Sequence, residues 1–367
     1  MKHIQNSRRD FIKKSASIAA LSTAGFNMGN AKTIEMIKDQ GMQMSLSYFY
    51  GFQENKVQYA RQMGIKGAVT SANPWMVGMR DKQSWEYEPL AALKERFAQE
   101  GLEFLVVEGP PGLEKTKLGL VGRDEELDQF IKFMQNMAKV GIDTVCYNWM
   151  PVISWHRTKI ERKTRGDALV TAFDYEDIKD QPLTEYGEVS GDKMWENITY
   201  FLKAVVPEAE KLGIRLALHP DDPPIPNIRG ISRIMTSVDA FKRLIEIYPS
   251  PSNGLTFCQG TFATMGEDIP SAIRYFGKRN KIFFVHFRDI RGNKWNFEET
   301  FHDDGITNMY EAMKAYYEVG FRGPIRPDHV PTMAGDNNDH PGYSVLGTLY
   351  AMGYIRGLME ATYRNKT

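Results

Sequence analysis

Five glycines, each closing an amphipathic segment and each followed by an apolar residue, restrict this chain more than any other feature. They stand in Met63-Gly64-Ile65, Glu100-Gly101-Leu102, Val140-Gly141-Ile142, Leu212-Gly213-Ile214 and Val319-Gly320-Phe321. A helix commonly ends in one residue of left-handed conformation, which glycine adopts without the penalty a side chain brings. The apolar residue after each glycine then opens the next buried strand. Five repeats of this junction require helices and strands to alternate, which is the mark of an α/β fold.

Eight short, largely apolar runs read as strands: 44–50, 67–70, 104–107, 144–147, 215–218, 254–256, 282–285 and 324–327. Continuous apolarity suits parallel strands covered on both faces. Eight helical segments lie between and after them: 56–63, 90–99, 125–140, 194–211, 238–247, 269–276, 309–319 and 345–360. In the third, Leu127, Phe130, Ile131, Met134, Met137 and Ala138 recur at spacings of three and four. Eight βα units predict a (β/α)8 TIM barrel of the xylose-isomerase-like kind, one domain over residues 32–367. A doubly wound sheet would carry a glycine-rich phosphate turn after an early strand, and none is present. The stretch from His156 to Lys193 is charged and aperiodic, and reads as an excursion after the fourth strand that covers the barrel mouth.

The first 31 residues stand apart. Ser7-Arg8-Arg9-Asp10-Phe11-Ile12-Lys13-Lys14 is a twin-arginine pattern, followed by a modest apolar run from Ala16 to Phe26 and small residues around Gly29-Asn30-Ala31. The run is too short to span a membrane. The expectation is a signal peptide, export of the folded chain, and a periplasmic location. Lys+Arg and Asp+Glu both number 46. Zero net charge gives no reason to expect a nucleic-acid or membrane partner, and leaves room for a homo-oligomer. Two cysteines, Cys146 and Cys258, are too few for a disulfide scaffold.

In a barrel of this kind the residues just past each strand line the active site. The fifth strand delivers His219, the sixth Cys258, the seventh His286 and the eighth Asp328. Imidazole, thiolate, imidazole and carboxylate at one level can hold a divalent cation with positions left open for substrate. Cys146 and Cys258 lie on strands 4 and 6, about 9–10 Å apart, beyond the about 7 Å that a disulfide tolerates. Cys258 is therefore expected to be free for metal. Arg288 and Arg326 could bind a carboxylate, Asn148 could bond hydroxyls, and Arg291 reads as half of a surface ion pair. Asp221 and Asp222 could orient His219 or serve in a turn. His156, His302 and His340 do not sit at strand ends and receive no metal role. The segment Ile325 to Ser344 carries Asp328, His329 and Tyr343: a ligand with an acid/base pair.

The stretches Gly141–Pro151, Leu216–Pro224 (LALHPDDPP), Gly254–Gly260, Val285–Arg288, Phe301–His302, Arg326–His329 (RPDH) and Pro341–Gly347 (PGYSVLG) resemble those of mannonate dehydratases. These are lyases that turn D-mannonate into 2-keto-3-deoxy-D-gluconate and water. The resemblance implies that His219, Cys258, His286 and Asp328 bind Mn²⁺ or Fe²⁺, that His329 and Tyr343 are the acid/base pair, and that the substrate is a small sugar acid. The chain departs from the family pattern in three places. Tyr48-Phe49-Tyr50-Gly51 stands where Arg-Trp-Tyr-Gly is usual, Ser71-Ala72-Asn73-Pro74-Trp75 where paired histidines are, and Val330-Pro331-Thr332 where glycine with histidine or arginine is. A metal-dependent sugar isomerase or epimerase, and a non-catalytic periplasmic sugar-acid binder, are the competing readings. The intact His329 and Tyr343 argue against the binder.

Overall fold

The computed structural model describes residues 41–364; the twin-arginine pattern lies outside the described residues. Eight parallel strands close on themselves: β1 (Gln43–Ser47), β2 (Gly67–Thr70), β3 (Glu103–Glu108), β4 (Thr144–Asn148), β5 (Arg215–His219), β6 (Asn253–Cys258), β7 (Ile282–Phe287) and β8 (Pro324–Pro327). Closure is made by Gln43 opposite Pro324 and Met44 opposite Ile325. Helices α1 (Glu54–Gln62), α2 (Tyr87–Gln99), α3 (Arg123–Val140), α4 (Gly191–Leu212), α5 (Val238–Ile247), α6 (Ile269–Gly277), α7 (Met309–Glu318) and α8 (Val345–Arg364) follow the strands in turn. The expected (β/α)8 barrel is the fold.

Local chemistry sets these boundaries. Ser190, Ser237, Asp268 and Asn308 cap α4 to α7 by accepting the backbone N–H of Lys193, Ala240, Ser271 and Glu311. All five junction glycines have positive φ, between 63° and 73°. Within the strands the period of two decides which side chains face the lumen. Val69, Val106, Cys146, Ala217 and Phe284 fill the barrel interior. Their strand neighbours Val107, Val145, Leu216, Leu218 and Val285 belong to the larger core under the helices. Two residues beyond each lumen-facing side chain comes another, so Glu108, Asn148, His219 and His286 return to the lumen at its upper end. Register levels them: Asn148 is paired with His219, Cys258 with His286, and His286 with Arg326.

The excursion after β4 departs from the expectation of an aperiodic loop. Strands Lys159–Lys163 and Leu169–Asp174 pair antiparallel, and the second joins Asn296–Glu299, itself paired with Ile290–Asn293 from the loop after β7. The four form one sheet. Lys159–Lys163 (KIERK) is solvent-exposed at every residue, so no apolar alternation marks it. The partner that orders the inner strand arrives more than a hundred residues later. No described helix is long and apolar enough to cross a membrane.

Phe201 of α4 is fully buried, against Phe130, Tyr147 and Trp149 at ring distances of 5.3–5.4 Å. Phe201→Ala is expected to cost about 3–5 kcal/mol. A lowered guanidinium midpoint with an unchanged slope is the measurement that checks it.

Candidate active site

The upper end of the lumen opens into a cavity of about 150 Å³. His219, His286, Asp328, His329, Tyr343 and Arg326 line it, with Glu108 and Asn148. His219, Cys258 and His286 each present a donor atom, all within 4.8 Å of one another. Asp328 Oδ2 lies 3.8 Å from Cys258 Sγ and 3.7 Å from His286 Nδ1. The four strand-end residues singled out in the sequence therefore converge.

Their surroundings suit a cation. His219 Nδ1 donates to the Pro220 carbonyl at 2.7 Å, leaving Nε2 as the free donor atom. Burial lowers its pKa, which keeps the imidazole in the neutral, ligating form. His286 is buried, yet neither ring nitrogen makes a hydrogen bond among the described residues. Glu108 Oε1 stands 3.3 Å from its Nε2, too poorly aligned to count as one. A buried imidazole without a partner is costly, and a metal ligand bond removes that cost. Asp328 is held ionised well below the usual carboxylate range; burial opposes this, and His329, Arg326, His286 and Arg288 outweigh it. A second group, Glu108, Cys146 and His286, is equally compact. There the Cys146 thiol is pushed well up, first by burial and then by Glu108, and its sulfur already accepts the Thr256 hydroxyl at 3.1 Å. A thiol held protonated is the poorer ligand, so the first group fits a metal better.

His329 and Tyr343 meet edge to face at 5.6 Å above these residues. His329 holds φ at +44°, an uncommon conformation outside glycine that tends to persist at functional sites. Its Nδ1 is 3.0 Å from Glu299 Oε1 and touches the Arg288 guanidinium. With Nδ1 so engaged, Nε2 is the ring nitrogen available to a substrate.

A sequence profile of the D-mannonate dehydratase (UxuA) family matches residues 42–185 and 177–367. The chain is 34% identical to mannonate dehydratase 2 of Halalkalibacterium halodurans, over 87% of this chain and 99% of that one. It is also 34% identical to the Thermotoga maritima mannonate dehydratase, over 87% and 97%. This chain belongs to the mannonate dehydratase family. The crystal structure of the Streptococcus suis serotype 2 mannonate dehydratase superposes with a TM-score of 0.81 at 31% identity, covering 89% of this chain and 95% of that one. A D-tagatose 3-epimerase-like protein, at 15% identity and TM-score 0.58, shares the barrel alone.

In this mannonate dehydratase-family chain the remaining predicted residues divide. Asn148 lines the cavity while its Oδ1 accepts from Lys117 Nζ at 3.2 Å and Met150 N at 3.1 Å. Arg326 lines it too, forked onto Glu108 at 2.7 and 3.0 Å and bonded to Asp328 at 2.8 Å. Arg288 differs from the expectation of a substrate-facing arginine. It is wholly buried and gives its hydrogen bonds to Asp222 (2.8 Å), Glu299 (2.9 Å) and Thr261 (2.9 Å). Asp222 and Asp221 do not touch His219: Asp222 binds Arg157 at 2.7 and 3.0 Å, and Asp221 accepts Met235 N at 2.8 Å. Arg291 makes ion pairs with Glu298 and Asp304.

Several groups in the site escaped sequence reasoning. Glu108 ends β3 (FLVVE), and the strand-end argument applied to β5–β8 would have found it. Arg157 and Glu299 come from the two excursions, and nothing local marks them. With Asp222 and Arg288 they form a square of two cations and two anions directly beneath His329, each side chain at most 2% exposed.

Breaking a buried pair leaves an uncompensated charge. Arg157→Met is therefore expected to lose about 3–5 kcal/mol in denaturant unfolding, far more than Arg291→Met at the surface. Acid provides a second check. Burial alone would raise the Glu108 carboxyl, but Arg326 and His286 pull it from an ordinary 4.5 to about 2. Its contribution is present above pH 4.5 and is lost as pH falls toward 2. Glu108→Gln in metal-stripped protein is expected to flatten that part of the stability curve.

Proposed function

We propose that this protein dehydrates D-mannonate, or a closely related aldonate, to 2-keto-3-deoxy-D-gluconate and water. The observation that carries the reading is the placement of a four-residue ligand group and an imidazole–phenol pair on a single small polar cavity, in a chain of this family. His219, Cys258, His286 and Asp328 would hold the divalent cation. Two imidazoles, a thiolate and a carboxylate with open positions suit Mn²⁺ or Fe²⁺. When bound, the cation supplies Lewis-acid stabilisation of the negative charge that gathers on the substrate carboxylate as the C2 proton leaves.

The chain's own residues do the rest. The reaction breaks C2–H and C3–O, and forms a C2–C3 double bond that relaxes to the ketone. His329, with Nδ1 anchored by Glu299, directs Nε2 into the cavity and takes the C2 proton. Tyr343 is pushed well above its ordinary pKa, first by burial and then by Asp328. It stays a phenol at neutral pH, which suits it to give its proton to the departing C3 hydroxyl. Arg326 lines the cavity with its guanidinium engaged by Glu108 and Asp328, and holds those two carboxylates in place. Asn148 is at hand for a hydroxyl. The twin-arginine pattern at Arg8-Arg9 supports export of the folded, metal-loaded protein to the periplasm; fusing residues 1–31 to a folded reporter and locating the reporter by fractionation checks that part.

Incubating the purified protein with Mn²⁺ or Fe²⁺ and a panel of aldonates is expected to give a 2-keto-3-deoxy acid. An isomeric sugar instead would sink the dehydration reading in favour of isomerisation. Cys258→Ala should lose both metal content and turnover, and unchanged metal would remove Cys258 from the ligand set. Tyr343→Phe should retain metal while turnover falls about 10²–10⁴-fold.

A further inference from the structure

The rim of the barrel mouth divides into two unlike halves. From β5 round to β8 the strand ends supply the candidate metal ligands. From the loop after β8 round to the loop after β4 they supply aromatic rings. His340 and Tyr50 stack face to face at 3.6 Å and an interplanar angle of 5°. Tyr50 meets the edge of Tyr343 at 5.8 Å. Trp75, after β2, lies against the backbone at Gly51, where an added Cβ would sit 3.5 Å from its ring. Trp155, after β4, packs on His329 at 5.0 Å. The loop after β3 presents only Gly109 and Pro110 toward the cavity.

Three rings of this rim are open to solvent. Tyr50 is 43% exposed, and Trp75 and Trp155 are each 38% exposed. Large aromatic surfaces left to solvent in one place mark a binding surface. This one is continuous with a cavity for a polyhydroxylated acid, through Tyr343 on one side and Trp155 on the other. The cavity, at about 150 Å³, is lined by Trp155 and Tyr343, and Tyr50 adjoins Tyr343, so a group joined to the acid's far end and leaving on this side meets the rings. A pyranose suits them: its axial C–H faces are apolar and its equatorial edge is hydroxylated, matching flat rings that carry polar tips.

We propose that the aromatic half of the mouth is an outer subsite for a second sugar ring, so that the preferred substrate is a glycosylated aldonate, an aldobionic acid, rather than the free acid alone. The inner chemistry is that of the proposed dehydration, and to that extent the inference rests on it. The second ring stacks at Trp75 and beside Tyr50, and Trp155 closes over the junction between the two sugars.

The test compares kcat/KM for D-mannonate and for mannonates glycosylated at O4 or O6, in the metal-loaded wild type, Trp75→Ala and Trp75→Phe. The expected result is a preference of about tenfold for at least one glycosylated acid. Trp75→Ala abolishes that preference and leaves free D-mannonate within about twofold; Trp75→Phe restores most of it. No preference in the wild type, or an equal loss for both substrates in Trp75→Ala, overturns the proposal. A separate arm does not depend on dehydration: calorimetric titration of the protein with a neutral disaccharide such as mannobiose. Binding that Trp75→Ala removes supports the subsite even if no aldonate is turned over. Where no aldonate is turned over, absence of disaccharide binding in the wild type refutes it.

Discussion

The catalytic end of this barrel depends on four buried charges. Arg157, Asp222, Arg288 and Glu299 come from three different loops, those after β4, β5 and β7. Only by meeting do they become tolerable inside the protein, since any one of them alone would carry a desolvation cost of several kcal/mol. Each finds two opposite partners, with hydrogen bonds of 2.5–3.2 Å. Such a cluster does little for net stability compared with a well-packed apolar one. It fixes geometry instead, because none of its members can turn away without stranding another. His329 stands on it through Glu299 and Arg288, and Asp328 adjoins it, 3.4 Å from Arg288. Imidazole and carboxylate thus take their positions from four side chains that do not themselves line the cavity.

The strands supply the other half of that positioning. A parallel barrel with a period of two brings every second side chain to the lumen, and the staggered pairing brings Cys258 level with His286 and Asn148 level with His219. Apolar residues occupy the lower lumen and polar ones the upper. On three strands the change falls within two residues: Ala217 to His219, Phe284 to His286, Val106 to Glu108. The lower layer is a packed plug beneath the site, and it excludes water from the side of the candidate ligands that faces away from the mouth.

This explains what could be read from the sequence. Junction glycines, apolar runs and strand-end residues are local signals, and they led to the barrel and to the convergence of His219, Cys258, His286 and Asp328. Arg288 shows where such reading stops. An arginine one residue past a strand looks the same whether it meets substrate or carboxylates brought in by loops; here its partners Asp222 and Glu299 lie 66 and 11 residues away. The contact between Arg157 and Glu299 spans 142 residues, and the exposed strand Lys159–Lys163 has no apolar period to reveal the sheet that carries Arg157 to it. Glu108 was legible by the same rule as the others, since it ends an apolar run in a carboxylate.

The departures from the family pattern fall into place on this frame. None is a member of the ligand group or the charge square, but two adjoin the candidate acid/base pair: Phe49 and Tyr50 pack on Tyr343, and Val330 follows His329. Ser71-Ala72-Asn73-Pro74-Trp75 sits on the aromatic half of the mouth, where Asn73 caps a short turn that begins at Pro74 and sets Trp75 against Gly51. Val330 pairs with Tyr343 and Thr332 with Leu169 through isolated bridges, which ties the segment after His329 to the sheet of the excursions. Glycine there would loosen the backbone that holds His329 at positive φ. An apolar, proline-containing segment bound on both sides stiffens it. On the proposed reading the ends of β5 to β8 hold the candidate ligands and the loop after β8 the candidate acid/base pair, while the loops after β1, β2 and β4 shape what reaches them.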